Sequence, residues 1–181
     1  MGKPTPLDQG VSTISVVVAA AACGLESMGV IETGSGRVVT GHLQSGVAGA
    51  FHPCPLQQGV EQGNQETLLY NERNELTEAS SCNAFIVKND RVITPLLDHQ
   101  KLPGITREIL IDILRNDGNI PVEERVVTMN EVAEADEVWI TSSSREIAPV
   151  IAIDSVPVGD GQVGDVWLAA QTLFSANRFN Y

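Results

Sequence analysis

The chain has 181 residues, 43% of them hydrophobic, and carries a formal net charge of −12. That length allows one core, or one domain with an appendage, and the hydrophobic content allows the core to be buried. The negative charge is spread along the second half rather than gathered in a tail; it argues against nucleic acid or an anionic membrane as partner and otherwise favours solubility. Cys23, Cys54 and Cys82 are odd in number and lack a C-x-x-C spacing, so no disulfide framework is expected. His42, His52 and His99 stand apart and offer no zinc-ligand pattern. A reducing cytoplasm is the default compartment.

Residues 1–56 have an unusual composition. Between Gly10 and Leu56 the only charged side chains are Glu26, Glu32 and Arg37, and Gly, Ala, Val and Ser dominate. No sustained helical or alternating pattern runs through this stretch. Its run ISVVVAAAAC, Ile14 to Cys23, bears some likeness to a signal or lipoprotein leader. Asp8 and Gly10 make a poor leader, however, and the run is too short to span a bilayer. A buried strand or helix is expected there instead. From Gln57 onward charges, turns and periodic apolar positions take over, which sets an organisational boundary near residue 56.

Past that boundary ETLLY, residues 66–70, reads as a strand, 71–75 as a polar turn, CNAFIV (82–87) as a strand and Lys88-Asn89-Asp90 as a turn. A third strand, 91–94, is halted by Pro95, and the three together predict an antiparallel meander. Ile105, Ile109, Leu110, Ile113 and Leu114 predict one apolar helix face starting near Thr106, with Gly118 at the C′ position and Pro121 blocking continuation. A strand follows at 122–127. Thr128-x-x-Glu131 is a capping box opening a short helix through Ala135. Strands at 138–141 and 150–154, a turn at 155–157, a glycine-bearing loop at 160–164 and a last amphipathic helix, 166–176, complete a mixed α/β chain with much antiparallel sheet.

Three stretches could carry chemistry. Gly104 lets a ligand approach the backbone, and the N–H groups of Ile105 and Thr106 are helix-end donors suited to an anion such as phosphate; the plain alternative is an N-cap. Ser142, Ser143 and Ser144 follow a strand end and could bind phosphate or carboxylate oxygens, or simply form a solvated loop. No G-x-S-x-G elbow supports a nucleophilic serine. Glu78 lies beside Ser80, Ser81 and Asn83, which could partner a buried carboxylate; alone it reads as a solvated turn residue. GDGQVG, 159–164, lacks the context of a dinucleotide-binding fingerprint and reads as a turn.

LTEASSCNAF (76–85), PGITR (103–107) and ITSSSREIAPV (140–150), in that order and spacing, together with VGDGQVGDVW (158–167), resemble the C-terminal domain of the class IV pyridoxal-phosphate aminotransferases. The resemblance covers about Gln57 to Phe174 and is strongest to the D-amino-acid (D-alanine) transaminase branch; branched-chain aminotransferases and aminodeoxychorismate lyase are relatives. It implies that Glu78 pairs with the pyridine nitrogen of pyridoxal 5′-phosphate, that Leu102 packs on the ring, and that Ile105, Thr106 and Ser143 bind the phosphate. Ser142 and Ser144 would lie near the cofactor or substrate, and Ser81 and Asn83 would support Glu78.

The implied reaction is amino transfer between a D-amino acid and a 2-oxo acid, in a homodimer with small-molecule partners only. One requirement is unmet. The family's lysine, which joins the cofactor and moves the substrate proton, would align near Ser45, and the only lysines here are Lys3, Lys88 and Lys101. Residues 1–56 do not resemble the family's small domain, so they are expected to be diverged, replaced or read from a shifted frame. The expectation is a transaminase-like large domain of weak or absent activity. The alternatives are a non-catalytic cofactor-binding or dimerisation module and a branched-chain or lyase relative.

Overall fold

The computed structural model describes residues 12–18, 66–98 and 101–181. The boundary near residue 56, Ser45 and the end of the apolar run at Cys23 lie outside the described residues. Nine strands, β1 (Ser12–Val18), β2 (Glu66–Tyr70), β3 (Leu76–Ala79), β4 (Asn83–Lys88), β5 (Arg91–Pro95), β6 (Val122–Arg125), β7 (Glu137–Ser142), β8 (Glu146–Ile153) and β9 (Val156–Pro157), form one sheet. Among the described residues three helices accompany them: α1 (Ile105–Asn116), α2 (Met129–Ala133) and α3 (Asp165–Asn177). Strand order is β3-β2-β1-β8-β7-β4-β5-β6, with β9 on β8; every pairing is antiparallel except β5 with β6.

The strand at Ser12–Val18 closes the gap between β2 and β8. The expected meander is corrected here. β2 pairs with β1 and β3, whereas β4 lies between β5 and β7. β3 did not emerge as a strand from the sequence because its four residues, Leu-Thr-Glu-Ala, are too few to show alternation.

Both faces of the sheet are covered, so the central strands lose the alternation of a half-exposed sheet. On β4 every residue from Asn83 to Val87 is buried. Phe85 and Val87 join Trp139 and Ile147 against Leu110, Ile113 and Leu114 of α1 and Trp167, Ala170 and Phe174 of α3. Ala84 and Ile86 point the other way, into a core with Leu68, Leu76, Val138, Ile140, Val150 and α2 residues Met129 and Val132. The capping box opens α2 as expected: Thr128 Oγ1 accepts from Glu131 N–H, and the Glu131 carboxylate accepts from Thr128 N–H.

Turns follow their chemistry. Asn89 and Asp90 both take positive φ, 51° and 59°, in the two-residue β4–β5 hairpin, and Asp154 and Ser155 do the same between β8 and β9. Gly118 does sit at C′ of α1, but not for a left-handed turn. A Cβ there would meet Leu173 Cδ1 at 2.6 Å, so its role is close approach of α3.

Candidate active site

Glu78 lies on β3, Asn83 opens β4, and Gly104 precedes α1. Thr141 and Ser142 end β7. The sheet brings these ends together around a cleft of about 190 Å³. Glu78, Ala79, Ser80, Ser81, Cys82, Asn83, Leu102, Gly104, Ile105, Thr106, Thr141, Ser142 and Ser143 line it. Of the residues the sequence singled out, Glu78, Ser81, Asn83, Leu102, Ile105, Thr106, Ser142 and Ser143 meet here. Ser144 stands off the lining, with its hydroxyl 3.4 Å from that of Ser142.

The phosphate-suited end is built by two close approaches. Gly104 is the N-cap of α1, and no side chain caps the helix. A Cβ on Gly104 would lie 1.9 Å from Asn83 Oδ1, so only glycine lets the helix start reach β4. The other helix of comparable length differs. Glu137 accepts from Val166 N–H at 3.0 Å and Trp167 N–H at 2.9 Å, which fills the α3 terminus with a carboxylate of the chain itself. The α1 terminus keeps its dipole for the cleft. Ile105 and Leu102 are 76% and 74% exposed and stand at the rim of the cleft. For Ile105 this corrects the sequence reading: the buried face of α1 is carried by Leu110, Ile111, Ile113 and Leu114.

Glu78 Oε2 accepts from Leu102 N–H at 3.0 Å. Asn83 Nδ2 donates to Leu102 O at 2.9 Å, so Glu78 and Asn83 hold the two peptide groups that flank the Leu102 Cα. Burial raises the Glu78 carboxyl above its ordinary range, against the lowering effects of the Leu102 N–H and the charge of Lys101.

Ser81 does not support Glu78, contrary to expectation. Its hydroxyl donates to Glu66 Oε2 at 2.6 Å, and Ser80 donates to Glu66 Oε1. Thr67 N–H at 3.1 Å and Cys82 Sγ at 3.4 Å complete the shell, with Arg145 Nη1 3.7 Å from Glu66 Oε2. Burial acts to raise the Glu66 carboxyl, but the bonds from Ser80, Ser81, Thr67 and Cys82 outweigh it and hold it low. Burial pushes the Cys82 thiol up, which leaves it a poor nucleophile.

The sequence reading missed Glu66, Thr141 and the Asn83–Gly104 approach. A charged residue heading the apolar run ETLLY was the available signal for Glu66. Thr141 Oγ1 is buried at the cleft without a hydrogen-bond partner among the described residues, a deficit that a ligand donor or acceptor could satisfy.

The serine tract is a hairpin tip. Ser142 faces Glu146 across the β7–β8 pairing, Glu146 has φ 55°, and Ser142 Oγ accepts from Arg145 N–H at 3.2 Å. This geometry leaves exposed Ser143 at the cleft. A wider crevice, about 340 Å³, lies at the other end of β4, around Lys88, Arg91, Glu123, Arg125, Glu131 and Glu134. Its arginines pair with its own carboxylates, Arg91 with Glu123 and Arg125 with Glu123 and Glu131, which leaves little demand for a charged ligand.

Residues 55–153 match the family model for amino-transferase class IV. A probable branched-chain-amino-acid aminotransferase of Aquifex aeolicus is 35% identical over 130 residues, which is 71% of this chain and 42% of that protein. D-alanine aminotransferase of Listeria monocytogenes is 38% identical over 107 residues, 59% of this chain and 37% of that one. Among solved structures, the branched-chain amino acid aminotransferase of Escherichia coli superposes with a TM-score of 0.63 at 32% identity, covering 68% of this chain and 42% of that one. An aminotransferase from Brucella abortus, bound to the cofactor PLP, superposes with a TM-score of 0.61 at 26% identity, covering 67% and 42%. The chain thus spans less than half the length of these relatives. With its motifs gathered on one cleft in the fold of those enzymes, the chain belongs to the class IV aminotransferases.

Proposed function

We propose that this chain is the cofactor-holding part of a transaminase that acts on a D-amino acid and a 2-oxo acid, with pyridoxal 5′-phosphate as the cofactor. One observation carries the reading: a carboxylate and an uncapped helix terminus face the same cleft, in the fold of proteins solved with that cofactor. When bound, the group supplies a conjugated ring that takes up the electron pair left as the substrate Cα loses its proton.

The residues fit its two ends. Ile105 and Thr106 offer N–H groups and a hydroxyl to the phosphate, Gly104 leaves the space for it, and Ser143 adds a donor from the β7–β8 tip. Glu78 would accept a hydrogen bond from a proton-bearing ring nitrogen. The positive charge of that donor favours the ionised carboxylate and so opposes the burial that raises it. Leu102 gives an apolar surface on the rim, and its N–H fixes the Glu78 carboxylate.

Proton transfer at the substrate needs a basic group in the cleft, and no lysine lines it among the described residues. Lys88 ends β4, roughly 17 Å along the strand from Asn83. It is also held by Asp136. Lys101 is next to Leu102 and its charge reaches Glu78, although its ammonium pairs with Asp98 at 2.6 Å. Incubation with pyridoxal phosphate, borohydride reduction and peptide mass mapping test the assignment. One stoichiometric adduct at Lys101 supports turnover by a relocated lysine. Saturable binding without an adduct supports the second reading, a cofactor-binding module without chemistry. Absence of saturable binding overturns both.

The substrate side has a rival too. The similarity to branched-chain enzymes favours an L-branched-chain amino acid. Amino transfer from D-alanine against L-leucine, each with 2-oxoglutarate as acceptor, decides between them.

A further inference from the structure

We infer that Arg107 is the positioning residue of the phosphate end of the cleft, acting through the first turn of α1; this rests on the cofactor reading above. Arg107 does not line the cleft. It is the third residue of α1 and only 2% exposed. Its Nη2 donates to Pro95 O at 3.1 Å, the last residue of β5, and to Glu124 Oε2 at 2.8 Å on β6. Glu124 Oε1 accepts from Arg115 Nη2 at 3.2 Å, about two turns further along the same helix. One carboxylate on a parallel strand thus grips α1 at its start and near its end. The bond from Arg107, then burial opposing it, and then the Arg107 and Arg115 charges set the balance that holds the Glu124 carboxyl low.

The first turn is held from the other side by the Gly104–Asn83 approach and the Asn83–Leu102 bond. Ile105 and Thr106 therefore sit between two fixed points, and their N–H groups point where those points direct them. A buried ion pair adds little net stability over a well-packed apolar pair. What a planar guanidinium adds here is direction, because two acceptors on different strands fix the helix start in place. Anion-binding groups must be held to about half an ångström to work. No side-chain cap does that for α1, so the task falls to Arg107.

The test uses the full chain and two probes that do not react with lysine: pyridoxamine 5′-phosphate and pyridoxamine, titrated by fluorescence. Wild type is expected to prefer the phosphorylated probe. Arg107→Met should lower affinity for pyridoxamine 5′-phosphate by roughly tenfold or more and change that for pyridoxamine by less than about twofold. Arg107→Lys should recover part of the loss, and Glu124→Gln should lose about threefold for the phosphorylated probe alone. If Arg107→Met does not fold, the Lys and Gln variants decide the matter by the same ratio. Equal weakening toward both probes makes Arg107 merely structural and overturns the inference, as does an unchanged ratio in all folded variants. A wild-type chain that binds both probes equally removes the phosphate reading itself, a failure seen before any variant is compared.

Discussion

Replacing Glu66 by Gln tests the view that this carboxylate is a structural anion under the cleft floor. The side chain keeps its outline and loses its charge. In the native chain it accepts from Ser80, from Ser81 at 2.6 Å, from Thr67 N–H at 3.1 Å and from Cys82 at 3.4 Å. Hydrogen bonds to a charged group contribute about 1.5–3 kcal/mol each and neutral ones about 0.5–1.5. The amide oxygen of Gln can keep two donors at the neutral value, while its amino group forces a serine hydroxyl to turn away. Relief of the buried charge offsets part of this loss. The expected net cost is about 2–3 kcal/mol at pH 7, on the order of 5–10 °C in Tm for a chain of this size. The sign with pH follows from the lowered carboxyl. Above the unfolded value of about 4.3 the advantage of Glu66 over Gln is complete, and it disappears as pH falls through the lower folded value. Thermal or urea unfolding of both proteins at pH 7, 5 and 3 measures the gap. A Gln variant as stable as wild type at pH 7, or a gap that persists undiminished at pH 3, refutes the reasoning.

Glu78→Gln should have the opposite effect. Burial raises the Glu78 carboxyl, so its favourable contribution is present below the unfolded value, about 4.3, and is lost as pH rises through the folded value. The ligand-free Gln variant should therefore melt above wild type at pH 7 by scanning fluorimetry, with the gain gone near pH 4, and should bind pyridoxamine 5′-phosphate more weakly; a lower Tm at pH 7 counts against it. Gly104→Ala puts a methyl group 1.9 Å from Asn83 Oδ1, so Asn83 must leave Leu102 O. The expected result is roughly 1–3 kcal/mol of destabilisation by denaturant titration, with weaker binding of the phosphorylated probe; an unchanged unfolding midpoint would count against the close approach.

The site was more legible in the sequence than the sheet was. Gly104 before a periodic apolar run, a serine tract after VWIT, and Glu78 among hydroxyls are local patterns, and the resemblance tied them together. The cleft follows from where elements begin and end: Glu78 is near the end of β3, Gly104 is the N-cap of α1, and the serine tract lies at the end of β7. The β4–β5 hairpin was legible, but the other strand neighbours were not, because their pairing depends on partners distant in sequence: β4 meets β7 across about fifty residues, and β1 slips between β2 and β8. The same distance hid Glu66. Adjacency in sequence assigned Ser81 to Glu78, three residues away, whereas the chain bends at 80–82 between β3 and β4. In the fold the Ser81 hydroxyl reaches Glu66, fifteen residues back.

The two carboxylates near the cleft stand in different surroundings. Glu66 is surrounded by donors from its own chain and held low, so it has no further capacity that an incoming group would need. Glu78 is nearly as near the same loop but receives a backbone N–H and the field of Lys101, and burial holds it high. An arrangement that pushes two neighbouring acids apart in this way commonly separates structural from functional roles. A saturated anion fixes the loop 80–82. An under-served one faces a cavity that also holds a helix terminus with no side-chain cap and the Thr141 hydroxyl, which has no partner among the described residues. The deficits are complementary: a donor is wanted at Glu78 and an anion at Ile105 and Thr106. On the cofactor reading proposed above, a flat ligand with a protonated ring nitrogen at one end and a phosphate at the other would meet both at once, and the lining glycine at position 104 leaves room for it.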